Sequence, residues 1–307
     1  MPELPEVEVA ARNLRRWAVG KTIRGAWSDR RAARLLRPGT ATAVESLAGA
    51  RFVSVERRGK NLLLTLGRGR DRLGVWSHLG MTGKWLRRAA KEPEPAATRV
   101  ALALSGGTRL CYVDRRMFGR FRLVPGARFD DLAEIAALGP DPLTDGIDVA
   151  ALAGRLGRLR TPIKVALLDQ TLLAGVGNIQ ASESLFRAGI DPRRPARSLS
   201  VAEVRRLADG IRASIDFTLR TFAAEGADGG GADIGYVEEG TAPNPFLVYG
   251  REGDRCPGCR RSTIVRIVQA GRATFFCPRC QNGGKAGAKA GATTGRKPSG
   301  HRLKSTP

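Results

Sequence analysis

The chain opens Met1-Pro2-Glu3-Leu4-Pro5-Glu6, and these residue types can do covalent chemistry. Methionine aminopeptidases remove Met1 when a small residue follows, so Pro2 is expected to become a free secondary amine. An N-terminal amine has a pKa of about 8, well below that of a lysine. Part of it is therefore unprotonated at neutral pH and can form an imine with a sugar aldehyde carbon. Glu3 stands beside it and can donate or accept a proton at the same centre. A plain structural role suits the same residues: Pro2 presets a first helical turn, while Glu3 and Glu6 complement the helix N-terminus.

A second chemical pattern lies near the other end. Cys256-Pro-Gly-Cys259 is followed, after seventeen intervening residues, by Cys277-Pro-Arg-Cys280. This is the spacing of a tetrahedral four-thiolate zinc site, which is structural because four sulfurs leave no open position for water. Two disulfides would require an oxidising compartment. Residues 1–20 carry Glu and Arg throughout and contain no apolar stretch of signal-peptide length. The expectation is one structural zinc in a cytoplasmic protein, with no organic cofactor. Cys111, alone in Leu110-Cys111-Tyr112-Val113, reads as a small core residue.

Charge sets the class of partner. The chain has 52 Lys and Arg against 29 Asp and Glu, a net charge of +23. Most of the excess is arginine, whose planar fork suits bidentate contacts to phosphate, so a polyanion is expected. No window approaches the roughly 18 uninterrupted apolar residues of a membrane span. No basic amphipathic helix shows an aromatic face of the kind that lies on a membrane surface. At 307 residues the chain exceeds one typical core, which argues for more than one domain.

The elements that must position these groups follow from periodicity. Leu4, Val7, Leu14 and Trp17 recur at helical spacing and Gly20 ends the pattern, so Pro2 and Glu3 belong at the start of a helix running to about residue 19. From there to about 125 the signals are of strand type, with 51–57 and 62–66 flanking Arg58-Gly59-Lys60-Asn61. Residues 100–104 and 109–113 flank a Ser-Gly-Gly turn. Short strands at this spacing predict a two-sheet β-sandwich domain over 1–137. The Pro/Gly/Asp segment 138–146 reads as a linker. A helical domain is expected over 147–244, with helices at 149–159, 163–170, 178–188 and 201–222 and a glycine-rich stretch at 225–233. The zinc module follows over 245–281. The tail 282–307 has no acidic residue and is expected to be disordered. It either adds non-specific affinity for nucleic acid or has no role.

Six features occur in order: Pro-Glu-Leu-Pro-Glu-Val-Glu, the Arg-Gly-Lys60-Asn turn, His78-Leu-Gly-Met81-Thr-Gly, Arg116-Met-Phe118-Gly, Gly175-Val-Gly-Asn178-Ile and the terminal cysteine pairs. Over residues 2–281 the chain resembles the formamidopyrimidine-DNA glycosylase/endonuclease VIII family. The resemblance implies an α+β protein: an N-terminal helix with a two-sheet β-sandwich, then a helical helix–two-turn–helix domain with a β-hairpin zinc ribbon. Damaged double-stranded DNA would lie in the cleft between domains. The activity implied is base excision of oxidised purines, 8-oxoguanine and formamidopyrimidines, by a monomeric, cytoplasmic, nucleoid-associated enzyme.

In the roles that the resemblance carries over, the Pro2 nitrogen attacks C1′ of the flipped nucleotide and Glu3 is the general acid/base. The resulting imine then permits β- and δ-elimination. Glu6 gives electrostatic support, and Lys60, His78, Asn178 and Arg272 hold phosphates. Met81, Arg116 and Phe118 fill the gap left by the flipped base, for which a flexible thioether, a forked cation and an aromatic wedge are apt. Taken singly, Met81 and Phe118 would be core residues, Lys60 a solvated lysine and His78 a buried, hydrogen-bonded histidine. Asn178 also reads as a helix cap whose neighbouring amides attract phosphate.

The sequence departs from the family pattern in four places. Arg115 replaces a usual proline, Met117 a basic residue and Gln180 a tyrosine, and the 223–245 region of the lesion-capping loop is rewritten. Excision of oxidised pyrimidines, as by endonuclease VIII, is the alternative within the enzymes. A non-catalytic damage-binding protein or a zinc-ribbon transcription factor lies outside them.

Overall fold

A computed structural model describes residues 2–29, 32, 35–36, 44–224 and 244–282. The expectations for the lesion-loop region, over 225–243, and for the tail, over 283–307, lie outside the described residues.

Helix α1 (Leu4–Ala18) leads into strands β1 (Ile23–Ser28), β2 (Arg51–Arg58), β3 (Asn61–Arg68), β4 (Asp71–His78), β5 (Lys84–Ala89), β6 (Thr98–Leu104), β7 (Thr108–Val113) and β8 (Arg120–Pro125). They form two four-stranded antiparallel sheets, ordered β1-β6-β7-β5 and β2-β3-β4-β8. Short helices α2 (Ala133–Ala136), α3 (Val149–Leu156) and α4 (Ile163–Ala166) lead to α5 (Asn178–Ala188) and the long α6 (Val201–Ala224). The hairpin β9 (Val265–Gln269) and β10 (Arg272–Phe276) follows. Among the described residues no helix is long and apolar enough to cross a membrane.

Strand β3 shows why an apolar run need not alternate. Leu62, Leu64 and Leu66 enter the main core, while Leu63 faces a second cluster with Trp76, Val124, Leu132 and Ile135, the last on α2. Both faces are covered, so both faces are apolar. Cys111 is fully buried, as the sequence implies.

Helix α1 is buried on more than the stripe that its periodicity marks, because it lies between two layers. It packs against β2 on one side and α6 on the other. One hydrophobic cluster therefore runs from both sheets through Leu4, Val7, Leu14 and Trp17 to Leu207, Ile211 and Phe222 of α6. The helix that carries Pro2 and Glu3 is the shared wall of the two halves.

Candidate active site at the domain junction

The N-terminal residues meet the helical half across a seam of glycines. The Leu4 amide donates to the Gly175 carbonyl at 3.1 Å, which seats the start of α1 on the loop before α5. Glu3 then lies at the N-terminus of α5. Its Oε1 accepts from the Ile179 amide at 2.8 Å and its Oε2 from the Gln180 amide at 3.0 Å. These amides belong to the set that a helix leaves unpaired at its start. The cap residue Gly177 has no side chain to serve them, and a Cβ there would overlap the Glu3 carboxyl. Gly175 has φ +89°, and a Cβ on it would run into Leu4. The Gly-Val-Gly spelling is thus the space that a distant carboxylate needs.

This geometry corrects one expectation. Asn178 does not cap α5: it is the first helical residue, and the two amides expected to attract phosphate are held by Glu3. The Asn178 side chain accepts from Lys164 Nζ at 2.5 Å and donates to the Ala273 carbonyl at 2.9 Å. It ties α4, α5 and the zinc hairpin together.

Lys164 is a site residue that the sequence reading misses. Its side chain is wholly buried, and its pKa falls to about 8 through burial and the nearby Arg272, against the pull of Glu3. The available signal is a lone lysine in the apolar run Ile163-Lys164-Val165-Ala166-Leu167, since unpaired lysines are almost never fully buried.

Lys60 sits in the turn between β2 and β3 and is likewise buried. Burial holds its ammonium below the usual lysine range, against the attraction of Glu3 and Glu6 and with the repulsion of Arg272. The turn is braced by Asn61, whose Oδ1 accepts from Trp76 Nε1 at 2.9 Å and whose Nδ2 donates to the Arg58 carbonyl at 3.0 Å. Gly59, at φ +56°, lies so close to the helical half that a Cβ would stand 3.1 Å from the Gly175 nitrogen. Arg272 begins β10, directly after the tight turn Ala270-Gly271, where both residues have positive φ.

Glu6 is buried behind Glu3 and its Oε2 accepts from the Glu3 amide at 3.1 Å. Burial, and then the charge of Glu3, raise its pKa to about 7. The native state therefore binds a proton between the ordinary carboxylate pKa and about 7 that the unfolded chain does not. This contribution to stability is complete below the unfolded pKa and is lost as pH rises through about 7, a loss on the order of 3 kcal/mol. The expected result is a urea midpoint that falls from about pH 5 to about pH 8 in the native protein and falls less in Glu6→Gln. Equal slopes in the two proteins would show that Glu6 does not titrate in this range.

His78 ends β4 and is half-buried. Its Nδ1 accepts from the Gly80 amide at 3.0 Å, which assigns the proton to Nε2. Burial, with Lys60 and Arg120 nearby, lowers its pKa to about 4, so the ring is a neutral donor at pH 7.

The loop after His78 interlocks with the one after β7. A Cβ on Gly80 would overlap the Phe118 backbone. Buried Asp114 accepts from Thr82 Oγ1 at 2.6 Å, the Arg116 amide at 3.2 Å and the Gly119 amide at 2.8 Å. Phe118 is 45% exposed, with the Arg116 guanidinium 4.8 Å from its ring centroid, while Met81 is half-buried. Exposed aromatic surface of this kind is not core. Met117 takes a left-handed conformation, φ +53°, in the same loop.

The sulfurs of Cys256, Cys259, Cys277 and Cys280 lie within 4.8 Å of one another, with Cys256–Cys280 at 3.7 Å and Cys259–Cys277 at 3.8 Å. Thiolates 2.3 Å from one tetrahedral ion stand about 3.8 Å apart, so the four fit one structural zinc. The module's own core is small: Val248, Ile264 and Phe275 beside two of the cysteines. Such a core does not hold a fold without its metal. Chelation, or Cys280→Ser, is expected to weaken duplex binding by more than about tenfold by releasing the hairpin that carries Arg272. Filter binding reads the loss, with the helical circular dichroism of α5 and α6 retained. Undiminished binding would show that the hairpin takes no part in holding a duplex.

Comparisons with known proteins identify the three parts of the chain. Residues 1–121 match the formamidopyrimidine-DNA glycosylase N-terminal domain, 138–224 its H2TH domain, and 253–283 the zinc finger found in FPG and IleRS. A formamidopyrimidine-DNA glycosylase of Paracoccus denitrificans is 40% identical over 293 residues, covering 92% of this chain and 100% of the relative. The crystal structure of the MutM (Fpg) protein of Thermus thermophilus superposes with a TM-score of 0.73 at 38% identity, over 92% of this chain and all of the other. The Lactococcus lactis Fpg in complex with abasic-site DNA gives 0.76 at 30% identity, over 91% and 99%. With three family models matched in order and relatives of this identity over nearly the whole length, the chain belongs to the formamidopyrimidine-DNA glycosylase family of DNA-repair enzymes.

Proposed function

We propose that this chain excises oxidised purines, 8-oxoguanine and formamidopyrimidines, from duplex DNA and then cuts the strand at the abasic site. The observation that carries the reading is the Glu3 carboxylate, buried and held by two amides of α5 next to Pro2. Similar proteins have been crystallised with N7-benzyl-Fapy-dG DNA and with carbocyclic 8-oxoguanine DNA, which supports this choice of substrate.

The Pro2 nitrogen gives its lone pair to C1′, and the glycosidic bond breaks with its electrons leaving on the base. Glu3 handles the proton at this centre; its two amide bonds fix its direction, so little reorganisation is needed during reaction. Glu3 takes the Pro2 N–H proton and returns one to O4′, so that opening of the sugar leaves a cationic iminium between Pro2 and C1′, which acidifies the C2′ hydrogen. Removal of that proton expels the 3′ phosphate, and a second elimination expels the 5′ phosphate. Lys60, His78 and Arg272 are the phosphate ligands in this reading: two cations and one neutral donor. Asn178 acts with them by holding Lys164 and β10 in place. Met81, Arg116 and Phe118 enter the stack, where the exposed Phe118 ring is the wedge and Arg116 faces the orphaned base. The zinc orients the Arg272 hairpin and takes no part in bond making.

Borohydride trapping of the untagged protein tests the proposal. A covalent adduct on 8-oxoguanine opposite cytosine is expected. An adduct confined to an oxidised pyrimidine would shift the substrate to the other branch. No adduct on either, with tight binding to both, would leave a damage-binding protein.

A further inference from the structure

Arg57, on β2 just before the Lys60 turn, is 4% exposed and joins three parts of the chain. Its Nε donates to Glu8 Oε2 on α1 at 2.8 Å. Nη1 donates to the Gly59 carbonyl at 3.0 Å and to Asp141 Oδ2, and Nη2 donates to Asp141 Oδ1 at 3.1 Å. Asp141, 3% exposed, also accepts from the Gly59 amide at 2.8 Å and the Leu143 amide at 3.0 Å. Both polar groups of Gly59 are therefore fastened, the amide to Asp141 and the carbonyl to Arg57.

The segment around Asp141 is fastened in turn to the loop before α5. The Gly139 amide donates to the Gln170 carbonyl, and the Ala174 amide to the Pro140 carbonyl, each at 2.9 Å. The Gln170 side chain accepts from the Gly175 amide and donates to the Val176 carbonyl, again at 2.9 Å. A continuous set of bonds thus runs from Arg57 and Asp141 to Gly59, the residue before Lys60, on one side. On the other it reaches Gly175, where Leu4 rests and Glu3 follows.

Burial would raise the Glu8 carboxyl, but the hydrogen bond and charge of Arg57 outweigh it and the group stays below the usual carboxylate range. Desolvating three charged groups is expensive, and apolar side chains commonly fill such a site at no loss of stability. Apolar packing would not set the direction of the Gly59 peptide. Lys60 follows that peptide directly.

We propose that Arg57 and Asp141 are positioning residues of the excision reaction. They lock the turn Arg58-Gly59-Lys60-Asn61 at a set place relative to Glu3 and the Gly175 loop, so that the Lys60 ammonium and the Glu3 carboxylate are aligned before DNA arrives. This rests on the site reading given under Proposed function. Neither residue reaches substrate; each acts through Lys60.

Single-turnover excision of 8-oxoguanine opposite cytosine by Arg57→Ala tests it, beside affinity for a duplex carrying a tetrahydrofuran abasic analogue. The rate is expected to fall about 100-fold, the cost of a misplacement on the order of 1 Å, with affinity, to which Lys60 is only one of three phosphate ligands, falling far less. Millimolar guanidinium ion should refill the buried site and restore much of the rate in Arg57→Ala, but not in Glu3→Gln. Asp141→Asn, which keeps the shape and loses the charge, should slow the reaction in the same way and serves if Arg57→Ala does not fold. The double variant should be no slower than either single one, since the pair acts as a unit. Two results would overturn the proposal: a wild-type rate in the single variants, or a parallel loss of rate and affinity without guanidinium rescue. A wild-type protein that forms no borohydride adduct overturns the site reading itself, a result visible before any variant is made.

Discussion

A single residue left in front of Pro2 is expected to abolish the borohydride-trapped adduct with lesion DNA, while binding to the same duplex persists. The reason is electronic. Acylation turns the secondary amine into an amide whose lone pair is delocalised into the carbonyl, the same resonance that makes the peptide bond planar. No neighbouring base restores a nucleophile from it. Pro2→Gly, with Met1 removed, keeps an amine and is expected to keep part of the activity. Intact mass confirms the N-terminus in each case. An extended protein that still traps would show that another group is the nucleophile. Lys60 and Lys164, both with lowered pKa, would be the ones to test.

Glu3→Gln is expected to slow base excision by about 10²- to 10⁴-fold, the usual worth of a positioned acid/base group. Binding to an abasic-analogue duplex should be retained. Glutamine cannot exchange a proton at neutral pH, and its geometry brings a second effect. Glu3 accepts from two amides, whereas glutamine has one acceptor oxygen; its NH2 would face the other amide, donor against donor. That costs about 1–3 kcal/mol for the amide left unpaired, so the urea midpoint should fall as well. The two effects separate kinetically. A loss of stability with wild-type excision would make Glu3 only the remote cap of α5. A loss of excision far beyond the loss of folded protein makes it the acid/base group.

Much of this architecture is legible in the sequence because its signals are local. The four cysteines sit within two short turns and a hairpin, and the sulfur distances follow from their spacing. The helices at 178–188 and 201–222 stand where periodicity puts them, the second running two residues further. Strands β4, β5 and β8 are less legible because their burial does not alternate: Gly74, Val75, Trp76 and Ser77 are buried in a row, as are Trp85 and Leu86, and the buried Phe121 and Val124 stand three apart.

The site is legible as a set of residue types but not as an arrangement. Asn178 reads as a cap because asparagine before a helix usually is one. It fails to cap here because the position before it, Gly177, is kept empty for Glu3, 174 residues away in the chain. Lys164 reads like any helix lysine, and Arg57 and Asp141 like ordinary surface charges. Their burial depends on elements that meet only when α1 is clasped between β2 and α6.

By itself, then, the sequence determined the chemistry available: an amine beside a carboxylate, four thiolates, a large excess of guanidinium groups, and glycines wherever backbones must pass closely. Only the tertiary structure decided the electrostatic state of those groups. Glu6 near neutrality, a neutral His78, and Lys60 and Lys164 with lowered pKa all follow from burial at the junction of two halves. Burial there is a property of chain segments more than a hundred residues apart. The physical reason is one of range: covalent identity and turn geometry are set within a few residues, whereas desolvation and charge coupling depend on everything packed within several ångströms, whatever its place in the chain.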